Sequence, residues 1–289
     1  MREPPRIQGG VTVTRMMLGA ELRRLREEAG VTPQQAAAHI RASHAKISRI
    51  ELGRVGFKSN DVADLLTLYG VTDERDQAAY LGLVDRANAR GWWSQDNDII
   101  ANWFEMYLRL EQEASVIRSY EVQFIHGLLQ TEDYARAVIR TRFSAEPDYE
   151  VDRRVHLRLN RQKILAQPGG PTLWAITDEA ALMRPAGPRS VMRGQVEHLL
   201  EISERPNVVI QLLPFRVGGH AAGGGPFTIL RFAVAELPDI VYLEQLNSAV
   251  YIDKRSEVEE YLWIMERLTV QAETPAQTRV RLRGLLDEI

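Results

Sequence analysis

The sequence predicts an α+β chain: an all-α amino-terminal domain followed by a mixed α/β domain with a small, partly antiparallel sheet. Three observations predict it. Residues 18–53, LGAELRRLREEAGVTPQQAAAHIRASHAKISRIELG, carry three short helical patterns separated by turn signals. From residue 172 onward, short β-branched and apolar runs alternate with amphipathic stretches. Charge is also uneven: residues 1–70 hold 11 Lys and Arg against 7 Asp and Glu, leaving 25 against 32 in the remainder. A mildly basic head on an acidic body fits a nucleic-acid-reading module joined to a domain with another task. The expected division is a flexible terminus at 1–14, a helical domain with its connecting helix at 15–90, and a carboxy-terminal domain at 91–289.

The first helix is marked by Leu18, Leu22, Leu25 and Arg26 at helical spacing, and Ala29-Gly30 stops it. Thr32-Pro33-Gln34-Gln35 opens the second. Thr32 caps the Gln35 N–H, Gln35 reaches back to Thr32, and Pro33 stands where its missing N–H costs nothing. Ala36 and Ala37 are small, as a close crossing of two short helices needs. Arg41-Ala42 turns the chain. Ser43 caps a third helix from His44 to Leu52, and Gly53 ends it. Ile47 and Ile50 fall on its inner face, leaving His44, Ala45, Lys46, Ser48 and Arg49 outward. A short helix with a fixed core face and a polar outer face suits the major groove of double-stranded DNA. Ser59 or Asn60 is expected to cap a fourth helix closed at Gly70, and Thr72-Asp73-Glu74 to start a fifth that runs to about Arg90.

Gln34, Ala37, Ser43 and the run Lys46-Ile47-Ser48-Arg49-Ile50-Glu51-x-Gly53 resemble the helix-turn-helix of the phage-repressor and xenobiotic-response-element class, over roughly residues 15–70. The resemblance implies a lambda-repressor-like fold. It departs at the turn, where Arg41 replaces the usual Gly and must take a left-handed conformation or alter the turn. By position, His44, Ala45, Ser48 and Arg49 are the candidate base-reading residues. Arg49 suits bidentate contact with guanine O6 and N7; its alternative is a salt bridge with Glu51. His44 alternatively is a solvated first-turn residue. Gln34, Ser43 and Lys46 stand where this class holds phosphates, and Arg54 and Lys58 are further phosphate candidates.

Beyond Trp92, the residues Ile100, Trp103, Phe104, Tyr107, Leu108 and Leu110 recur at helical spacing. Such a stripe is core, a dimer surface or a ligand wall. Residues 115–122 look extended, and Thr131-Glu132-Asp133 marks a helix start. Residues 153–166 read as a long basic helix, whose arginines either form a charged outer face or touch phosphates. Residues 172–177, 208–214, 227–232, 240–246 and 249–252 read as strands. Ser190, the pair Ser256-x-x-Glu259 and Thr274-Pro275-Ala276-Gln277 read as starts of the later helices.

Trp92-Trp93, Leu110-Glu111-x-x-Ala114, Gly127-Leu128-Leu129-Gln130-Thr131-x-Asp133-Tyr134-Ala135, Arg161-Gln162-x-x-Leu165, Asp178-Glu179-Ala180-Ala181-Leu182 and Leu213-Pro214-Phe215 resemble the carboxy-terminal domain of a large group of actinobacterial helix-turn-helix regulators. His126 departs from that group, which commonly has Pro there. Members are described as antitoxin-like and are often encoded beside a short protein proposed to bind them. The resemblance therefore implies a small co-encoded protein as partner and brings no ligand.

The loop Gly218-Gly219-His220-Ala221-Ala222-Gly223-Gly224-Gly225-Pro226 lies between two strands and lacks phosphate-loop spacing. It reads as a flexible hairpin loop, or as a lid over a ligand or partner in which Gly219, His220, Gly223 and Gly224 take part. Phosphate binding by its N–H groups is the weaker alternative. There is no Cys, so disulfides and thiolate chemistry are excluded. The six His show no metal-ligand spacing, and no nucleophile elbow or converging carboxylate pair is visible. No catalytic residue, metal or cofactor is expected. No apolar run of ~18 residues and no signal-peptide pattern is present, which points to a cytoplasmic protein that does not span a membrane. The sequence thus predicts a sequence-specific transcriptional regulator, a repressor, acting as a homodimer because one module covers only a half-site. Its carboxy-terminal domain would sense a partner protein or small molecule. The alternative is an antitoxin-like protein that neutralises its partner and binds DNA to regulate itself.

Overall fold

The computed structural model describes residues 10–289. The chain forms two compact units, one of residues 10–94 with Val234–Leu237 and one of Gln95–Ala233 with Pro238–Ile289. The first unit is all helix: α1 (Val11–Glu28), α2 (Pro33–His39), α3 (His44–Glu51), α4 (Ser59–Leu68) and α5 (Glu74–Ala87). One core of buried side chains joins all five, with Leu18, Leu22, Leu25, Ile47, Ile50, Leu65, Leu66 and Tyr80 at its centre. α1 starts earlier than the leucine spacing indicates, and so corrects the flexible terminus expected over 1–14 from residue 11 onward. Thr12, Val13 and Thr14 are buried, and the Arg15 guanidinium donates to the Ala87 carbonyl at 2.8 and 3.1 Å. Residues 1–9 lie outside the described residues.

The local cap chemistry at α2 and α3 forms as expected. Thr32 and Gln35 make the reciprocal capping box, and the Ser43 hydroxyl accepts from the Lys46 N–H at 3.2 Å. α4 corrects the expectation at Ser59: Lys58 takes the N-cap and makes no side-chain cap bond. The same correction holds twice in the second unit, where Pro188 and Lys254 precede helices that Ser190 and Ser256 were expected to cap. Each of these serines lies inside the first turn, and none of the three helices has a side-chain cap bond at its N-cap.

The second unit carries a six-stranded sheet in the order β3-β2-β1-β4-β5-β6, built from β1 (Ala114–Glu121), β2 (Thr172–Asp178), β3 (Val208–Leu213), β4 (Phe227–Phe232), β5 (Ile240–Glu244) and β6 (Ala249–Ile252). β1, β2 and β3 are parallel; β4, β5 and β6 add antiparallel pairs. The parallel half needs crossovers, and α7 (Glu132–Arg142), α8 (Asp148–Gln162), α9 (Glu179–Met183) and α10 (Arg189–Ile202) supply them. α6 (Asn102–Glu113) precedes β1, and α11 (Arg255–Gln271) and α12 (Pro275–Glu288) follow β6.

Alternation along β1 assigns the two faces. Tyr120 with Ile176, Phe227, Ile229 and Val241 packs under Val258, Met265 and Leu268 of α11. Ile117, Ser119 and Glu121 face the other way, where Tyr107 of α6 lies against Tyr242 with ring centres 4.2 Å apart. Tyr107, Leu108 and Leu110 are buried, so the core reading of the aromatic stripe holds for them.

Arg41 is the one described non-glycine residue with a left-handed backbone, at φ 52°. The departure seen in the sequence is therefore absorbed as backbone strain rather than as a changed turn. Gly at this position is free of the left-handed cost of about 1–2 kcal/mol but loses more entropy on folding. Arg41→Gly is expected to raise the stability of the protein by up to about 1 kcal/mol. A thermal melt of the variant checks this, and a lowered midpoint would contradict it.

Candidate nucleic-acid interface

The geometry of the third helix is set from inside the unit. At the end of α1, Arg26 donates from Nε and Nη2 to the two Glu51 oxygens at 2.6 and 3.1 Å, and from Nη1 to the Val31 carbonyl at 2.9 Å. The side chains of Arg26 and Glu51 are 8% and 9% exposed. One guanidinium thus ties the end of α1, the start of α2 and the end of α3. Glu51 is the partner that Arg49 had as its alternative, and it is occupied. The Arg26 guanidinium is held more basic still by the hydrogen bond to Glu51. Gly19 permits the close approach: a Cβ there would lie 2.6 Å from the Ile50 carbonyl oxygen and 2.7 Å from that of Glu51.

With Ile47 and Ile50 buried, α3 turns His44, Ala45 and Arg49 to solvent, with Ser48 half-buried beside them. Arg49 makes one bond, from Nε to the Ala45 carbonyl at 3.3 Å, and has no acidic partner among the described residues. Its planar fork therefore remains available for a base edge. The four base-reading candidates lie within 44–49, on a single short helix.

The phosphate candidates divide. Gln34 is exposed in the first turn of α2, and Lys58 is exposed at the start of α4. Arg54 is half-buried just past Gly53, whose φ of 63° closes the helix. The Ser43 oxygen already accepts the Lys46 N–H, which leaves its hydroxyl hydrogen for an anion. The Lys46 ammonium is in contact with the Asp61 carboxylate, from the first turn of α4. Sequence reasoning missed this pair, 15 residues apart. Its one signal is an acidic residue early in the next helix, a common arrangement with no implied partner.

In the second unit, the glycine-rich segment is not a hairpin loop. β3 and β4 are separated in the sheet by β2 and β1, so the segment crosses over two strands. It is also pinned. His220 Nε2 lies 3.1 Å from the Tyr120 hydroxyl, which donates to Asp178 at 3.2 Å, and the Ala222 N–H donates to His220 Nδ1 at 3.3 Å. This network places the imidazole proton on Nε2. Ala222 is buried in the core against α11, whereas Gly219, Gly223 and Gly224 are exposed.

The basic helix is corrected as well. The arginines of α8 do not form a solvated outer face. Arg161 makes a bidentate, buried pair with Glu111 at 2.8 and 2.9 Å, Arg154 pairs with Glu146, and Arg153 with Asp96 and Asp98. Those three guanidiniums are occupied by carboxylates and are not available to a phosphate, whereas Arg158 of the same helix donates to the Gln130 amide oxygen at 2.8 Å instead.

Residues 104–284 match the family model described as a domain of unknown function, DUF5753, and residues 17–78 match that described as a helix-turn-helix domain. No curated protein and no solved structure matches the chain. A helix-turn-helix domain makes the chain a DNA-binding regulator in kind. Among the described residues no helix is long and apolar enough to cross a membrane.

The contact between Lys46 and Asp61 competes with any phosphate that Lys46 meets. Asp61→Asn is expected to tighten binding to all duplex sequences alike, and Lys46→Ala to weaken it and flatten the salt dependence by about one unit of slope. Binding titrations across a salt series check both. Equal affinity of the two variants at every salt concentration would contradict the placement.

Proposed function

We propose that this chain, a member of the DUF5753 family carrying a helix-turn-helix domain, is a sequence-specific transcriptional regulator that acts by binding and not by catalysis. α3 enters the major groove. Arg49 reads guanine, His44, Ala45 and Ser48 contact or border neighbouring bases, and Gln34, Ser43, Lys46, Arg54 and Lys58 hold the backbone. The single observation that carries this is the exposed Arg49 fork on a helix whose other charged end, Glu51, is fixed inward by Arg26. A guanidinium left without an acid beside an anchored helix is suited to recognition rather than to stability.

One such module covers a half-site of a few base pairs. The reading therefore includes a homodimer on two half-sites about 34 Å apart, with the carboxy-terminal unit providing the pairing and the response to an effector. Repression fits this arrangement, because a protein bound across both half-sites excludes other proteins from that stretch of duplex.

The test is selection of binding sites from random duplex DNA with the full chain, wild type beside Arg49→Ala. The wild type is expected to enrich a motif with two-fold symmetry. In the variant, preference at one guanine per half-site falls by about 1–3 kcal/mol, while the other positions persist. An unchanged motif in the variant would contradict the role of Arg49, and a motif without two-fold symmetry would contradict the dimer.

A further inference from the structure

Three charged side chains of the carboxy-terminal unit converge on one edge of the sheet without touching one another. β1 ends at Glu121 and β5 at Glu244, and the two strands run in the same direction because β4 lies antiparallel between them. Alternation puts Ser119 and Glu121 on one face. Register carries that face across Thr228 to Tyr242, and so to Glu244. Both acids therefore stand at the same edge, on the face covered by α6, with backbones about 10 Å apart. α8 joins this face through its buried Arg161–Glu111 pair, and Arg158, one turn earlier on α8, feels the charge of both acids.

None of the three is neutralised by contact. Arg158 donates from Nη1 to the Gln130 amide oxygen at 2.8 Å and pairs with no carboxylate among the described residues. Among the described residues Glu121 has no cation in contact either, and Glu244 accepts only from the Tyr242 hydroxyl, at 3.0 Å. They nonetheless feel one another. Burial, and then the Glu244 charge, push the Glu121 carboxyl up to about 8 against the opposing pull of Arg158 and Arg161. Burial, and then the Arg161 charge, bring Arg158 down to about 10. The Glu121 charge also acts on the hydroxyls of Tyr107 and Tyr134, and His126 and Glu111 share the field of Arg158 and Arg161. Two residues back from Glu121 on the same face, the Ser119 side chain is fully buried and its hydroxyl has no partner among the described residues. Glu121 and Arg158 are half-buried and Glu244 is exposed, so the edge opens to solvent above the fully buried, unpartnered hydroxyl of Ser119. Half-buried charges without a charged partner beside an orphaned hydroxyl mark a place that a ligand completes.

We infer that this edge binds a free amino acid, its ammonium held between Glu121 and Glu244 and its carboxylate on Arg158. The chemistry selects that class. A simple amine leaves the spare Arg158 donors unmet and brings a cation beside a guanidinium. A simple carboxylate meets two acids. A divalent ion finds two carboxylates with an arginine facing them. A molecule with an amino group and a carboxylate on adjacent positions satisfies all three, and the Ser119 hydroxyl offers a further polar contact beneath. The inference rests on the regulator reading for its meaning, as the effector site of that regulator. The binding itself does not depend on DNA.

An ammonium between the two acids favours ionised Glu121, so binding releases a proton below about pH 8. Affinity is then expected to rise about tenfold per pH unit up to about pH 8 and to level off above it. The experiment is calorimetry of the full chain, without DNA, against each of the twenty standard L-amino acids. At least one is expected to bind with unit stoichiometry and the stated pH slope. Glu121→Gln is expected to weaken that binding about 10- to 100-fold and to abolish the slope. Arg158→Gln is expected to weaken the amino acid while leaving the corresponding decarboxylated amine unaffected. Binding by none of the twenty overturns the proposal, as does a wild-type affinity flat between about pH 6 and 8, which decides the matter even where a variant fails to fold. Absence of a site-selection motif with amino-acid binding intact would instead sink the DNA-binding reading and leave this site standing.

Discussion

The pair between Arg26 and Glu51 is the interaction on which the amino-terminal unit depends. It is nearly buried, bidentate, and extended by a third bond from Arg26 to the Val31 carbonyl. Losing one partner of such a pair leaves an uncompensated buried charge, at a cost of about 3–5 kcal/mol. More than stability is at stake. The pair fixes the carboxyl end of α3 against α1, and Gly19 lets the two backbones meet where any Cβ would collide with carbonyl oxygens. The outer face of α3 is then determined, and so is the set of side chains it presents. Arg49 is available for a base because its nearest acid in sequence has been taken by Arg26.

The carboxy-terminal unit follows the same logic with different groups. Arg161 and Glu111 join α8 to α6 by a buried bidentate pair, and the Phe104 and Tyr107 rings lie 5.1 and 5.5 Å from the Arg161 guanidinium. A charge so fully matched is structural. Arg158, one turn away, is matched by no carboxylate among the described residues, and the contrast between two neighbours on one helix separates scaffold from candidate site. The glycine-rich segment is likewise part scaffold: His220 and Ala222 hold its middle down while the exposed glycines flank them.

Much of the helical unit was legible because its signals are local. The capping boxes at Thr32 and Thr274 form as read, since each needs only four consecutive residues and a proline in the first turn. Ser59, Ser190 and Ser256 carried similar chemistry and do not cap, because packing starts each helix a residue or two earlier. The strands were legible as apolar runs, but their order was not. Nothing local says that β4 returns to lie beside β1, and so the segment between β3 and β4 read as a hairpin loop. The α8 arginines read as a solvated face because their acids, Glu111, Asp96 and Asp98, are far away in sequence. The Arg26–Glu51 pair, 25 residues apart, was hidden for the same reason. Glu121 and Glu244 lie far apart in the sequence, with no local signal joining them, and only the sheet brings them to one edge.

The central claim is that Arg49, on a helix anchored through Glu51, contacts a guanine edge. The most direct measurement is a cycle in which the guanine assigned to Arg49 is replaced by 7-deazaguanine, which lacks N7, and the affinities of wild type and Arg49→Ala are compared on both duplexes. The account predicts that removing N7 weakens the wild type measurably, as part of the 1–3 kcal/mol of a bidentate contact, and leaves the variant unchanged. An equal loss in both proteins would show that another group reads that base, and would contradict the placement of α3.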